Sequence, residues 1–120
     1  MHQTQLRKAA MMPEADDLLL LLCTCADDAE AEKIARLLVT QNLAACVQLA
    51  PIRSIYRWQG QVQSCAEVRL AIKTCASHRL RVEAAIRAAH SYQVPQIVAL
   101  PISYASSDYA DWVRANLDAG

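Results

Sequence analysis

The stretch from Gln61 to Thr74 constrains the fold more than any other. Within it Val62, Ala66, Val68, Leu70 and Ile72 alternate with Gln63, Glu67, Arg69 and Lys73. Successive side chains of a strand point to opposite faces, so this pattern specifies one long strand with an apolar and a polar face. At roughly 3.3 Å per residue, fourteen residues reach about 46 Å. A globule of 120 residues has a gyration radius of roughly 13–14 Å and a diameter of about 35 Å. Gln59-Gly60 supplies a turn ahead of the strand, so a long β-hairpin is expected to project beyond its own subunit. Projecting edges pair with another chain unless something blocks them. A homo-oligomer joined through these hairpins follows.

The flanking segments complete the topology. Leu18 to Cys25 is an apolar run too short for an ordinary helix and reads as a strand buried on both faces. Asp27 and Glu30 stand at capping-box spacing before Ala31, Ile34, Ala35 and Leu38, which predicts a helix from Asp27 to Asn42. Ala44 to Leu49 is a second strand that Pro51 interrupts, implying a kink or an edge position, and strand character resumes from Ile52 to Trp58. Ser77 is placed as the cap of a second helix carrying Val82, Ala85, Ile86 and Ala89. Pro95 and Pro101 bracket a short strand, Gln96 to Leu100. Ser106 to Asp108 opens a last helix with Tyr109, Trp112, Val113 and Leu117 on its buried stripe.

The order β-α-β-β-α-β with a C-terminal helix predicts an α+β protein, a ferredoxin-like sandwich with both main helices on one sheet face. The domain is set at 17–120, after a flexible N-terminal extension over 1–16 that shows no period. Apolar side chains on the helix-free face need cover, a second reason to expect oligomers.

Composition removes several function classes. Twelve Lys and Arg balance twelve Asp and Glu, so the clustered cationic charge of a general nucleic-acid binder is missing. Only two glycines occur, Gly60 and Gly120, which excludes glycine-rich phosphate loops. The run Leu18 to Leu22 is too short to span a bilayer and follows acids rather than bases, so neither membrane nor secretion is expected. Five cysteines would leave one unpaired in an oxidising compartment, and a cytoplasmic location is expected. No persuasive Ser-His-Asp or Cys-His-Asn order is present, so no enzymatic role is expected.

Two residue groups carry candidate chemistry. Cys23 and Cys25 lie two apart on a strand and share a face. Thiolates suit soft ions such as Cu(I) and imidazole suits copper and zinc, so the pair with His90 could form a trigonal site. Both cysteines also read as small core residues, and His90 as an ordinary histidine at a helix C-terminus. The second group is Glu67, Arg69 and Lys73 on the polar face of the long strand, with Tyr56 and Trp58 on its neighbour. These could line a cleft between subunits, or form cross-strand ion pairs on a solvated face.

Further pieces stand in register along the chain: Leu22-Cys23-Thr24, Asn42-Leu43-Ala44-Ala45-Cys46, Tyr56-Arg57-Trp58-Gln59-Gly60, Glu67, Ile72-Lys73-Thr74, His90-Ser91-Tyr92-Gln93-Val94-Pro95-Gln96, Leu100-Pro101 and Asp108-Tyr109 with Trp112. Together, from Leu18 to Leu117, they resemble the CutA divalent-cation-tolerance family. The resemblance implies a ferredoxin-like homotrimer related in shape to PII signalling proteins. It also implies binding of copper and other divalent metals, zinc among them, with no established enzymatic reaction. The family's copper ligands are the cysteine ending the first strand and a His-His pair, which carry over to Cys23 and His90. Ala89 stands where the first histidine would be, Ser91 replaces the usual proline, and Gln96 replaces an acid. The alternative to a trimeric copper-binding protein is a PII-like signalling or small-molecule-sensing module. Its intersubunit pocket would be lined by Trp58, Glu67, Lys73 and Tyr92.

Overall fold

The structure, a computed structural model, describes residues 13–119. Residues 1–12 of the expected extension lie outside the described residues. Glu14–Asp17 forms a turn tied to the body: Ala76 N–H donates to Asp17 O at 2.9 Å and Ser77 N–H to Ala15 O at 3.0 Å.

Strands β1 (Leu18–Cys25), β2 (Cys46–Trp58), β3 (Gln61–Cys75) and β4 (Ile97–Pro101) alternate with helices α1 (Asp28–Thr40), α2 (Arg79–Ala89) and α3 (Ser107–Ala115). One antiparallel sheet has the order β2-β3-β1-β4. This is the expected α+β, ferredoxin-like arrangement. Leu19, Leu21, Cys23 and Cys25 alternate onto the face covered by α1 and α2, where they meet Ile34, Leu38, Leu70, Ile72, Val82 and Ile86. That face is dry and close-packed, so its volume changes are costly.

Asp27 caps α1, its carboxylate accepting from Glu30 N–H at 2.9 Å. Asn42 ends the helix in the left-handed region at φ 56°. Leu43 N–H then reaches back to Leu38 O at 3.0 Å, the bond that closes a helix C-terminus of this kind.

Several local expectations need correction. Pro51 takes the edge position, one of its two expected outcomes, but it does not interrupt β2, because an edge strand tolerates a missing donor. Ser77 does not cap α2. A 3₁₀ turn over Ala76–His78 precedes the helix, and Ser77 Oγ instead lies 2.8 Å from His78 Nδ1. Helix α3 does not bury Trp112, which stays exposed and stacks on Tyr109 at 5.6 Å. Ala110 and Val113 are its buried residues. This helix packs on the opposite sheet face, against Leu18, Ala45 and Cys75, so that face is free of helix over only part of its area.

The hairpin is as long as its pattern implies. Gln59 and Gly60 have φ of 50° and 79°, both positive, as a two-residue type I′ turn requires. The pairing of β1 with β3 stops at Cys25↔Val68, whereas β2 and β3 pair out to Trp58↔Gln61. Beyond Val68 the ribbon has no third strand, which leaves Ile55 72% and Val62 66% exposed. The longest axis is 49 Å and the gyration radius 16.0 Å, above the roughly 13–14 Å of a compact globule this size.

Candidate metal centre and adjoining cavity

The strand alternation that builds the core also builds the thiol site. Cys23 and Cys25 are completely buried on the helix side at the end of β1. Helix α2 ends at Ala89, and His90 turns to extended backbone at φ −86°, ψ 141°. The chain therefore crosses the end of β1 and sets the imidazole beside both sulfurs. The two Sγ atoms and a His90 nitrogen lie within 4.8 Å of one another, with Cys25 Sγ 3.9 Å from His90 Nε2. Sulfur and nitrogen ligands bound to one zinc at about 2.3 and 2.0 Å are separated by roughly 3.5–3.7 Å. The Cys25–His90 distance of 3.9 Å is close to that value, the widest pair of the three has up to about 1 Å to close, and the donor set suits a soft or borderline metal ion.

The thiols are unequal. The Cys25 thiol directed at Cys23 lowers the Cys23 pKa to about 7, against the opposing effect of burial and with further help from His90. The same hydrogen bond and burial push Cys25 upward. A single proton thus comes off the pair easily, leaving a thiolate on Cys23.

His90 is already employed. Tyr92 N–H donates to Nδ1 at 3.0 Å, which assigns the ring proton to Nε2, and Nε2 donates to Thr24 O at 2.7 Å. Ligation through Nε2 has to move that proton and release the Thr24 bond. The imidazole is in position but committed, and the thiolate is the readier ligand. Glu30 steadies the same segment by accepting from Ser91 N–H at 2.8 Å.

The other side of this strand end is different. Thr24 faces away from the helices into a cavity of about 610 Å³ lined by Ser54, Tyr56, Trp58, Glu67, Tyr92 and, from the following loop, Gln93, Val94 and Gln96. Glu67 is only 7% exposed and accepts a 2.6 Å hydrogen bond from Tyr92 Oη. Burial and then that hydrogen bond raise the Tyr92 pKa, keeping its hydroxyl a donor. No ion pair among the described residues includes Glu67.

Trp58, Glu67 and Tyr92 of one chain line this cavity, and Lys73 of the same chain does not. Six positions along β3 from Glu67, Lys73 donates to Gln48 Oε1 at 3.0 Å and lies 5.5 Å from the Tyr109 ring centre. The cross-strand ion pairs considered for Glu67 are likewise missing among the described residues. Cys25 joins the cluster on the strength of its i, i+2 spacing from Cys23, a signal visible in the sequence. Gln93, Val94 and Gln96 reach the cavity only because the loop folds onto the sheet, and no periodicity announces that.

Fold and site define an α+β protein of ferredoxin-like topology with a thiol–imidazole cluster at the end of its first strand. Residues 19–116 match the family described as CutA1 divalent ion tolerance protein. The chain belongs to that family. A divalent-cation tolerance protein CutA of Pectobacterium atrosepticum is 39% identical over 102 residues, 84% of this chain and 93% of the relative. Among solved structures, CutA of Xylella fastidiosa superposes with a TM-score of 0.83 at 38% identity, covering 85% of this chain and 99% of that one. CutA1 of Oryza sativa does so at 0.84 with 31% identity, covering 87% and 96%.

Proposed function

We propose that this chain is a homotrimeric metal-binding protein serving tolerance of divalent cations, with copper as its preferred ion and Cys23, Cys25 and His90 as its ligands. One observation carries the reading: three soft or borderline donors converge within 4.8 Å in a buried setting. Two sulfurs and one nitrogen favour Cu(I), with zinc next. Metal binding releases the remaining thiol proton, so affinity rises with pH. Thiols of this kind persist in a reducing compartment, which supports a cytoplasmic location, and the role proposed is binding rather than catalysis.

Assembly is supported by the exposed Val98 and Leu100 on the helix-poor sheet face and by the ribbon that outruns its own sheet. Light scattering at micromolar concentration should return the mass of three chains, and the mass of one would end the trimer reading. Reduced protein titrated with Cu(I) against a competing chelator should bind one ion per chain. The Cys23→Ser and His90→Ala variants should bind it more weakly, Cys23→Ser most. Equal stoichiometry and affinity in all three would end the metal assignment.

The cavity favours a second reading, a PII-like small-molecule-sensing module. It is roomy enough for a metabolite, and its aromatic walls and few polar groups suit one. A thermal-shift screen of metals, nucleotides and small organic ions separates the readings. Midpoints that rise with metals alone would remove the second.

A further inference from the structure

Among the described residues of one chain, Glu67 is a carboxylate buried without a counter-charge. It is 7% exposed, receives one hydrogen bond, from Tyr92 Oη at 2.6 Å, and enters no ion pair among the described residues. Arg69, two positions along the same strand face, forms no ion pair with it. Lys73 is turned to Gln48 at the far end of the face. Taking a carboxylate out of water costs several kcal/mol unless a cation or several donors compensate, so an uncompensated one marks a place where a positive group belongs. Tyr56 and Trp58 line the same cavity, and aromatic faces attract cations.

We propose that the cavity binds a small organic cation carrying N–H groups, a primary ammonium or a guanidinium on a short apolar body. The N–H groups would donate to Glu67 while Tyr56 and Trp58 take the apolar body and part of the charge. Tyr92 holds the carboxylate in place from behind and, remaining protonated, adds no competing negative charge. An anion is disfavoured by Glu67, and a neutral ligand of the same shape leaves the carboxylate uncompensated. The inference rests on the small-molecule reading of the cavity and gives that reading a ligand class.

The test compares benzylamine and agmatine with benzyl alcohol and inorganic phosphate. Binding is followed by calorimetry and by the indole N–H resonance of Trp58, identified through Trp58→Phe. Benzylamine should bind about tenfold or more tighter than benzyl alcohol, because a hydrogen bond to a charged group outweighs a neutral one. It should also move the Trp58 signal, and Glu67→Gln should bring benzylamine down to the level of the alcohol. Equal binding of amine and alcohol, or phosphate moving the Trp58 signal where amines do not, would leave a small-molecule cavity but overturn its cation preference. If none of the four probes moves that signal, the cavity reading and the ligand class both fall. Should Glu67→Gln fail to fold, the amine–alcohol pair on the unaltered protein still decides.

Discussion

The thiol cluster and the cavity stand back to back at the end of β1, and a ligand would meet opposite surroundings in each. Cys23 and Cys25 point into the dry layer under α1 and α2, while Thr24 between them opens onto the aromatic, carboxylate-bearing cavity. One residue of strand separates soft sulfur from hard oxygen, because successive side chains leave a strand on opposite faces. His90 bridges the two sides. Its ring accepts from Tyr92 N–H, donates to Thr24 O and lies 4.8 Å from the Tyr92 ring. A metal that claims Nε2 disturbs a wall of the cavity. Adjacency in the chain thus sets two chemistries apart while one side chain still joins them.

The two sites share one scaffold, and its failure has the largest effect. Leu70 pairs with Cys23 across β1 and β3 and is fully buried. Leu70→Ala should cost about 2–5 kcal/mol in urea unfolding and remove both sites together. Losing one site while the other persists would mean that they do not depend on a common core.

Next in size is the thiol side itself. Cys23→Ser should lower Cu(I) affinity by about a hundredfold or more, beyond the roughly 10–100-fold that outer-shell partners cost, as read by chelator competition. Wild-type affinity in this variant would mean that the dry face holds no metal.

Proton concentration acts on the thiol side, because Cys23 titrates near 7, about two units below its ordinary 9.0. A group whose folded pKa is depressed contributes stability that is fully present above its unfolded value and is lost as pH falls through its folded one. Thiolate-linked stability should therefore grow from about pH 7 to pH 9, and with falling pH metal affinity should drop by up to about tenfold per unit above 7, where binding displaces only the Cys25 proton, and by up to about a hundredfold per unit below 7, where it displaces both thiol protons. Ultraviolet thiolate absorbance should show one group titrating near 7, and Cys25→Ser should move it upward. An unchanged titration in that variant would show that Cys25 is not what activates Cys23.

The smallest effect belongs to Asp27, which caps α1 beside Glu30, the residue that steadies the 90–92 segment. Asp27→Ala should cost about 1 kcal/mol of stability with little change at either site. A large loss of metal affinity would mean that the position of α1 governs the cluster more than β1 does.

Much of this molecule was legible in one dimension. The alternation of β3, the capping pair Asp27 and Glu30, and the Gln59-Gly60 turn each depend on neighbours within a few residues, and each appears where the pattern put it. Cys23 with Cys25 was readable for the same reason, since i, i+2 on a strand is a local relation. Trp112 shows where local periodicity stops: its helical spacing places it on the buried stripe, but the tertiary partner decides which apolar residue is covered, and Val113 is the one that packs with Leu18 and Cys75.

The sequence by itself determined the element order, the length of the ribbon and the common face of the two thiols, because these follow from backbone geometry repeated along the chain. Only the tertiary structure decided that His90 meets the thiols across 65 residues and that Glu67 is buried against Tyr92. It also decided that Lys73 turns to Gln48 within its own chain. Such juxtapositions depend on how loops cross the ends of strands, where no periodic rule operates and packing alone chooses the partner.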